Sequence, residues 1–275
     1  MPTQGGSIRL FKVAGIEVFL HWSWFLIAIY YVQVWRSMFS SPAWAALLYI
    51  ALFVLVTMHE FGHALACRQV GGRADRIVLW PLGGIAFVNP PPRAGAMLWS
   101  IAAGPMVNLL LVPILTFVLH AAAQAGWKVT NPDAFVVLTW LWRINVGLLL
   151  FNLLPIYPLD GGQIVRALLW FPLGQIRSLF VAAGLGFVGC GALMLVALWQ
   201  QSIWIGIMAL FLLSQAAVGW RYARFLKAEK AAVVVPFAPE VPVAPDNQSV
   251  PERKAAFYDG SLEDPAARRS VPRAE

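Results

Sequence analysis

The chain has 275 residues, of which 60% are hydrophobic and only 12% are charged, and its mean hydropathy is +0.70. A soluble domain is about half apolar and about a quarter charged, so these values exclude an ordinary soluble protein. They predict an all-α protein that crosses a membrane several times.

Short β-forming runs precede and interrupt the apolar spans. Residues 8–20 group β-formers around Ala14-Gly15 and predict a hairpin before the first span. Residues 76–80 and 85–88 are two further β-like runs between the second and third spans, separated by a turn-forming stretch that includes Pro81 and Gly83, and they predict a second hairpin. Hydropathy predicts six spans of about 20 residues each. They are residues 18–35, 44–66, 97–119, 135–154, 179–199 and 203–220.

The cations predict which side of the membrane each loop occupies. With the N-terminus in the cytosol, only Arg36 and Lys128 fall on the opposite side. The cytosolic segments hold Arg9, Lys12, Arg68, Arg73, Arg76, Arg93, Arg166, Arg177, Arg221, Arg224, Lys227 and Lys230. This positive-inside bias predicts that both termini are cytosolic, in what we expect to be a bacterial cell membrane. It also accounts for the net charge of +7, so we do not expect nucleic-acid binding.

The composition changes at residue 227. Pro236, Pro239, Pro242 and Pro245 recur at every third residue, which is the period of a polyproline II segment. The residues beyond them mix charges with few apolar side chains, a composition typical of disorder. We therefore predict a transmembrane domain over residues 1–226 and a disordered, proline-rich cytosolic tail over residues 227–275.

A histidine pair within the second span predicts a metal site. His59 and His63 are four residues apart, so a helix puts both imidazoles on one face. Glu60 points about 100° away around the helix, where it can act as a general base toward water at the metal. The alternative is a pair of packed core histidines, but Glu60 would then be buried at membrane depth without a partner, which is costly.

The third ligand is predicted in an interrupted segment after the fourth span. A catalytic zinc needs three protein ligands and one open position. Pro155 and Pro158 prevent a continuous helix before Asp160. Irregular backbone at membrane depth is tolerated only where it lines a protein cavity. An aspartate before two glycines is most often a simple turn, but this setting makes Asp160 the candidate.

These motifs together resemble the site-2 protease family of intramembrane zinc metalloproteases. The likeness rests on His-Glu-x-x-His in one span and on Asn-x-x-Pro-x-Pro-x-Leu-Asp-Gly after a later one, and it extends over residues 8–222. The short loops resemble the compact six-span branch of the family. That branch often carries a C-terminal nucleotide-sensing module, which we do not expect in the short and polar tail of this chain.

The resemblance implies that His59, His63 and Asp160 bind one zinc ion per chain and that Glu60 is the catalytic base. It also implies an endopeptidase that cleaves a single-span or membrane-embedded protein substrate within the lipid bilayer and releases a cytosolic product, as in regulated intramembrane proteolysis. A metal transporter is one alternative, but it would need several ligand sets along a path, and the sequence contains one. An inactive membrane binding module is another, against which the intact Glu60 argues.

Four further residues are candidates for contacts with substrate. The resemblance implies that Asn108 lies near the scissile carbonyl, where an amide donor could stabilise an oxyanion, and that Asn152 positions the substrate. A helix–helix hydrogen bond is the alternative for each asparagine. A helical substrate must unwind before its peptide bond is accessible. Ile85 and Phe87 in the second β-forming segment could receive the unwound substrate as an added strand.

Overall fold

The computed structural model describes residues 6–80 and 83–233. Its elements are β1 (Ser7–Val13), β2 (Ile16–His21), α1 (Ser23–Trp35), α2 (Pro42–Gln69), β3 (Arg73–Trp80), β4 (Gly83–Asn89), α3 (Ala94–Gln124), α4 (Trp127–Thr130), α5 (Pro132–Asn152), α6 (Asp160–Trp199) and α7 (Ile203–Val233). Because α7 continues to Val233, the first seven residues of the predicted tail are helical. The remainder of that tail, residues 234–275, lies outside the described residues.

Among the described residues, five helices are long and apolar enough to cross a membrane, namely α2, α3, α5, α6 and α7. The prediction of a helical membrane protein with several spans is therefore confirmed, but the predicted count of six is not reached. The difference lies in the first predicted span, residues 18–35. Its first four residues belong to β2, and α1 has only 13 residues. Such a helix is about 20 Å long, which is less than the roughly 30 Å hydrocarbon core of a bilayer.

The apolar character of β2 has a different cause from lipid exposure. Val18 and Leu20 are buried in a cluster that includes Ile77 and Leu79 of β3 and Ala64 of α2. Side chains of a strand alternate between its two faces, so a strand buried on one face and paired at both edges can be as apolar as a helical span. Hydropathy alone does not separate these two cases.

The two predicted hairpins form a single four-stranded sheet in the order β1-β2-β3-β4. The strands within each hairpin pair antiparallel, whereas β2 and β3 pair in parallel, with Glu17 opposite Arg76 and Leu20 opposite Leu79. The sequence predicted the hairpins but not this central pairing. It leaves β4 at one edge of the sheet.

The sheet packs against the C-terminal half of helix α2, and two glycines after this helix position the sheet. Gly71, with φ of 84°, follows the helix in the left-handed conformation that favours glycine. Gly72 then lies against Asn89 and Cys67, where a Cβ would be 2.8 Å from the Asn89 carbonyl oxygen. The chain can therefore turn straight from α2 into β3, which brings the sheet alongside the two histidines.

Helix α6 consists of two helical segments. Gly174 has φ 77° and ψ 168°, so it breaks the helix between residues 160–173 and 175–199. The second segment contains the predicted span 179–199. The first segment follows the proline-containing loop and begins with Asp160, so the predicted third ligand stands in the first turn of a helix.

Candidate metal centre

The structure brings the three predicted metal ligands together. His59 and His63 lie one turn apart on α2, and Asp160 comes from the start of α6. Asp160 Oδ2 is 3.1 Å from His59 Nε2 and 3.4 Å from His63 Nε2, and the two Nε2 atoms are 3.1 Å apart. All the ligand atoms lie within 4.8 Å of one another, and both histidines are buried.

The chemistry of these atoms fits a bound cation. His63 Nδ1 lies 2.9 Å from the carbonyl oxygen of Ser100, which can only accept, so Nδ1 carries the proton and Nε2 of the neutral ring has a free lone pair. Asp160 Oδ2 is buried and has no hydrogen-bond partner in the described part of the chain. Acceptor atoms this close repel one another unless a cation lies between them. Two imidazoles and a carboxylate are the ligand types of a catalytic zinc site.

Glycines allow α3 to approach the histidines closely. A Cβ on Gly104 would overlap the imidazole of His63, and a Cβ on Gly62 would lie 2.6 Å from the carbonyl oxygen of Ala103. The backbones of α2 and α3 are therefore in contact at the level of the site, as small residues permit in membrane helix pairs. This approach also brings the Ser100 carbonyl to His63.

Glu60 lies beside the ligands and is held by the sheet. Its side chain is buried, and its Oε2 accepts a hydrogen bond of 2.9 Å from the backbone N–H of Ala86 in β4. A Cβ on Gly84 would overlap the carboxylate, so the absence of a side chain there makes room for Glu60. The acidic group is thus positioned between α2 and the edge strand.

The contact with Glu60 also defines the free edge of β4. Successive backbone N–H groups of a strand point to opposite edges. Because the Ala86 N–H points toward Glu60, the N–H groups of Gly84 and Val88 are directed to the same free edge, and those of Ile85 and Phe87 to β3. The Phe87 side chain is 39% exposed. Among the described residues, no strand pairs with this edge of β4, and the Ala86 N–H on it is bonded to Glu60.

The loop that leads to Asp160 packs closely against glycines of two helices. A Cβ on Gly186 would lie 2.7 Å from the carbonyl oxygen of Tyr157, and a Cβ on Gly189 would overlap Ile156. On α7, a Cβ on Gly219 would overlap the ring of Tyr157. Helices α6 and α7 thus hold the segment just before the third ligand, which links the position of Asp160 to the last helix.

The two predicted asparagines differ in their surroundings. Asn108 is fully buried, and its Oδ1 is 2.6 Å from His59 Nδ1, on the side of the ring away from the ligand atoms. This contact favours a role in holding His59. Asn152 ends α5 and is partly buried, and its amide makes no hydrogen bond within the described ranges.

Sequence reasoning missed Asn145 and Ser100. Asn145 is fully buried on α5, accepts a hydrogen bond from Asn108 Nδ2 at 2.8 Å and donates one to the Asn108 carbonyl at 3.0 Å. A signal for Asn145 was present, since an amide within an apolar span needs a partner. Ser100 contributes its backbone carbonyl to His63. Every residue type has this group, so the sequence gives no signal for it.

Known proteins resemble this chain in sequence over much of its length. Residues 47–135 and 122–196 match the profile of Peptidase family M50, which together is more than half of the chain. The sequence is 33% identical over 205 residues to zinc metalloprotease MJ0392 of Methanocaldococcus jannaschii, over 74% of this chain and 58% of that protein. It is 32% identical over 165 residues to the stage IV sporulation protein FB of Bacillus subtilis, over 57% of this chain and 53% of that protein. The chain thus spans little more than half the length of these relatives.

The fold is also similar to a solved structure. A site-2 protease from Methanocaldococcus jannaschii superposes with a TM-score of 0.57 at 30% sequence identity, over 78% of this chain and 95% of that one. The resemblance noted in the sequence and the prediction of zinc as cofactor are confirmed. The chain belongs to peptidase family M50, the site-2 protease family.

Proposed function

We propose that the protein is an intramembrane zinc endopeptidase that hydrolyses a peptide bond in or near a transmembrane segment of a membrane protein. The observation that carries this proposal is the convergence of His59, His63 and Asp160 beside a buried Glu60, in helices apolar enough to cross a membrane. A pair of histidines with only a structural role would need neither the Asp160 oxygen that lacks a hydrogen-bond partner among the described residues nor Glu60 beside it.

The roles of the site residues follow from their positions. When bound by His59, His63 and Asp160, a zinc ion supplies Lewis acidity and makes water nucleophilic near neutral pH. Glu60 takes a proton from the attacking water as the new C–O bond forms, and it passes that proton to the leaving amine nitrogen as the C–N bond breaks. The Ala86 N–H holds one carboxylate oxygen of Glu60, which leaves the other to exchange the proton.

The edge of β4 suits an unwound substrate. A peptide added there would hydrogen bond to the outward N–H groups of Gly84 and Val88 and would lie next to Glu60. The N–H groups of Ile85 and Phe87 are directed to β3 and would not bond to the substrate. These two residues would act indirectly, by keeping β4 paired with β3 and its outer edge in place. Asn152 remains the candidate for a contact with the scissile carbonyl or the peptide.

The positive-inside distribution supports release of the product into the cytosol. His59 precedes Gln69, the last residue of α2, by ten residues, which is about 15 Å along the helix. Arg68, Arg73 and Arg76 follow within or just after that helix end and mark it as cytosolic. The site would then be within the bilayer but nearer its cytosolic face.

The test compares wild type with Glu60→Gln in sealed proteoliposomes that contain a panel of single-span proteins with cytosolic tags. We expect wild type to release tagged fragments and Glu60→Gln to release none, while both retain one zinc ion per chain by elemental analysis. Equal cleavage by the variant would remove Glu60 as the base. Zinc flux into the vesicles without cleavage would favour a transporter. Full biological activity of Glu60→Gln in cells would favour a binding module.

A further inference from the structure

Three hydrogen bonds link Asn145 to the predicted metal ligand His59, two of them between Asn145 and Asn108 and one between Asn108 and His59. Its Nδ2 is 3.0 Å from the carbonyl oxygen of Asn108, its Oδ1 is 2.8 Å from Asn108 Nδ2, and Asn108 Oδ1 is 2.6 Å from His59 Nδ1. Both asparagines are fully buried, and His59 is 4% exposed. The series joins α5 to α3 and α3 to α2.

The first bond fixes the direction of the others. A backbone carbonyl oxygen can only accept, so the Asn145 group that faces it must be the NH₂. The Asn145 oxygen then faces Asn108, which must present its own NH₂ in return. Asn108 consequently turns its oxygen toward His59, and a proton must be on His59 Nδ1.

We propose that Asn145 is a positioning residue that selects the Nδ1–H tautomer of His59 and so leaves the lone pair on Nε2. That atom is the one 3.1 Å from Asp160 Oδ2. Were the Asn108 amide reversed, its NH₂ would face His59 Nδ1, and the neutral ring would carry its proton on Nε2, where it opposes metal binding. The inference rests on the proposed function in one respect, since it takes Nε2 as the metal-binding atom.

The test is the substitution Asn145→Ala in the full-length protein in lipid nanodiscs. Loss of the Asn145 oxygen leaves the Asn108 amide free to rotate, so we expect a Kd for zinc raised by about tenfold or more, as for other residues that orient a metal-binding histidine. In zinc-free protein, ¹⁵N NMR of the imidazoles at a pH that keeps both rings neutral should show a mixture of tautomers at His59. His63, which faces a backbone carbonyl, should remain protonated on Nδ1.

Two further variants separate orientation of His59 from helix packing. Thr139→Ala removes a side-chain hydroxyl from the same helix, which donates to the Phe135 carbonyl in its own helix, and should change neither readout. In Asn145→Asp, a carboxylic acid kept neutral by burial can donate to the Asn108 carbonyl and accept from the Asn108 amide. It should restore the single His59 tautomer and most of the zinc affinity.

The outcomes distinguish this inference from the proposed function. If Asn145→Ala loses thermal stability but keeps the His59 tautomer and a zinc affinity within about twofold of wild type, Asn145 only packs α3 against α5 and the inference fails. If wild type binds zinc and the tautomer changes as expected, but no substrate is cleaved, the inference stands and the proposed peptidase fails.

Discussion

The two histidines of the metal centre are held in different ways. His63 donates from Nδ1 to the backbone carbonyl of Ser100, and its ring packs directly against Gly104. His59 donates to the side chain of Asn108, which is itself held by Asn145. One ligand is therefore fixed by the main chain of a single neighbouring helix, and the other by amide side chains from two helices.

The difference determines which substitutions each histidine can tolerate. A carbonyl that belongs to a helix cannot be removed by changing a side chain, so only a change in the separation of α2 and α3 disturbs His63. Asn108 and Asn145 can each be removed by one substitution, so His59 is sensitive to side-chain chemistry. Asp160 is a third case, because it begins α6 directly after a loop, and the fit of that loop against the second segment of α6 and against α7 sets its position.

The largest effect is expected for Gly104→Ala. The added methyl group would overlap the His63 ring, and both groups lie in a helix interface with no open space, so either α3 must move or the ring must turn. We expect zinc affinity to fall by about 100-fold, the upper end of the range for residues behind a metal ligand. Competition with a chelator measures the change.

Gly95→Ala is the matched control for Gly104→Ala. Gly95 lies in the first turn of the same helix, and a Cβ there would meet no atom within 4 Å. This variant should bind zinc as wild type does. Wild-type affinity in Gly104→Ala as well would show that the α2–α3 contact does not control His63.

A smaller effect is expected at the support of Asp160. In Gly186→Ala the new methyl would lie 2.7 Å from the Tyr157 carbonyl oxygen, so the loop must shift by several tenths of an ångström. Asp160 follows Tyr157 by three residues, and we expect zinc affinity to fall by about tenfold. Gly184→Ala, two residues earlier on the same helix and without a neighbour within 4 Å, serves as its control. Equal zinc affinity in these two variants would contradict a role for the loop contact.

The sequence predicted the groups that carry distinctive chemistry and missed those that act through the backbone. Glu60, the two histidines and Asp160 were identifiable because ionisable residues are rare in the apolar segments, and the structure brings them together. The Ser100 carbonyl was not identifiable, since every residue type offers the same group.

The difference between the six predicted spans and the five helices long enough to cross a membrane has a related origin. The apolar run at residues 18–35 was assigned to one helix because hydropathy shows that side chains avoid water. It does not distinguish side chains that contact lipid from side chains that pack against protein. The parallel pairing of β2 with β3 joins strands separated by all of α2, and no local pattern specifies such a contact. The hairpins, whose turns are local, were predicted correctly.

The smallest effect is expected for Ser100→Ala, which tests the comparison between the histidines most directly. Ser100 is fully buried beside the site, so by burial alone it ranks with Asn108 and Asn145. Its hydroxyl, however, donates to the carbonyl of Ala96 in its own helix, whereas His63 uses its main-chain oxygen. Substitution should therefore cost about 1 kcal/mol of stability at most and leave zinc affinity within about twofold of wild type. Calorimetry and chelator competition measure the two quantities. A fall in zinc affinity as large as that of Asn145→Ala would mean that His63 depends on the serine side chain, and the distinction between the two ligands would no longer hold.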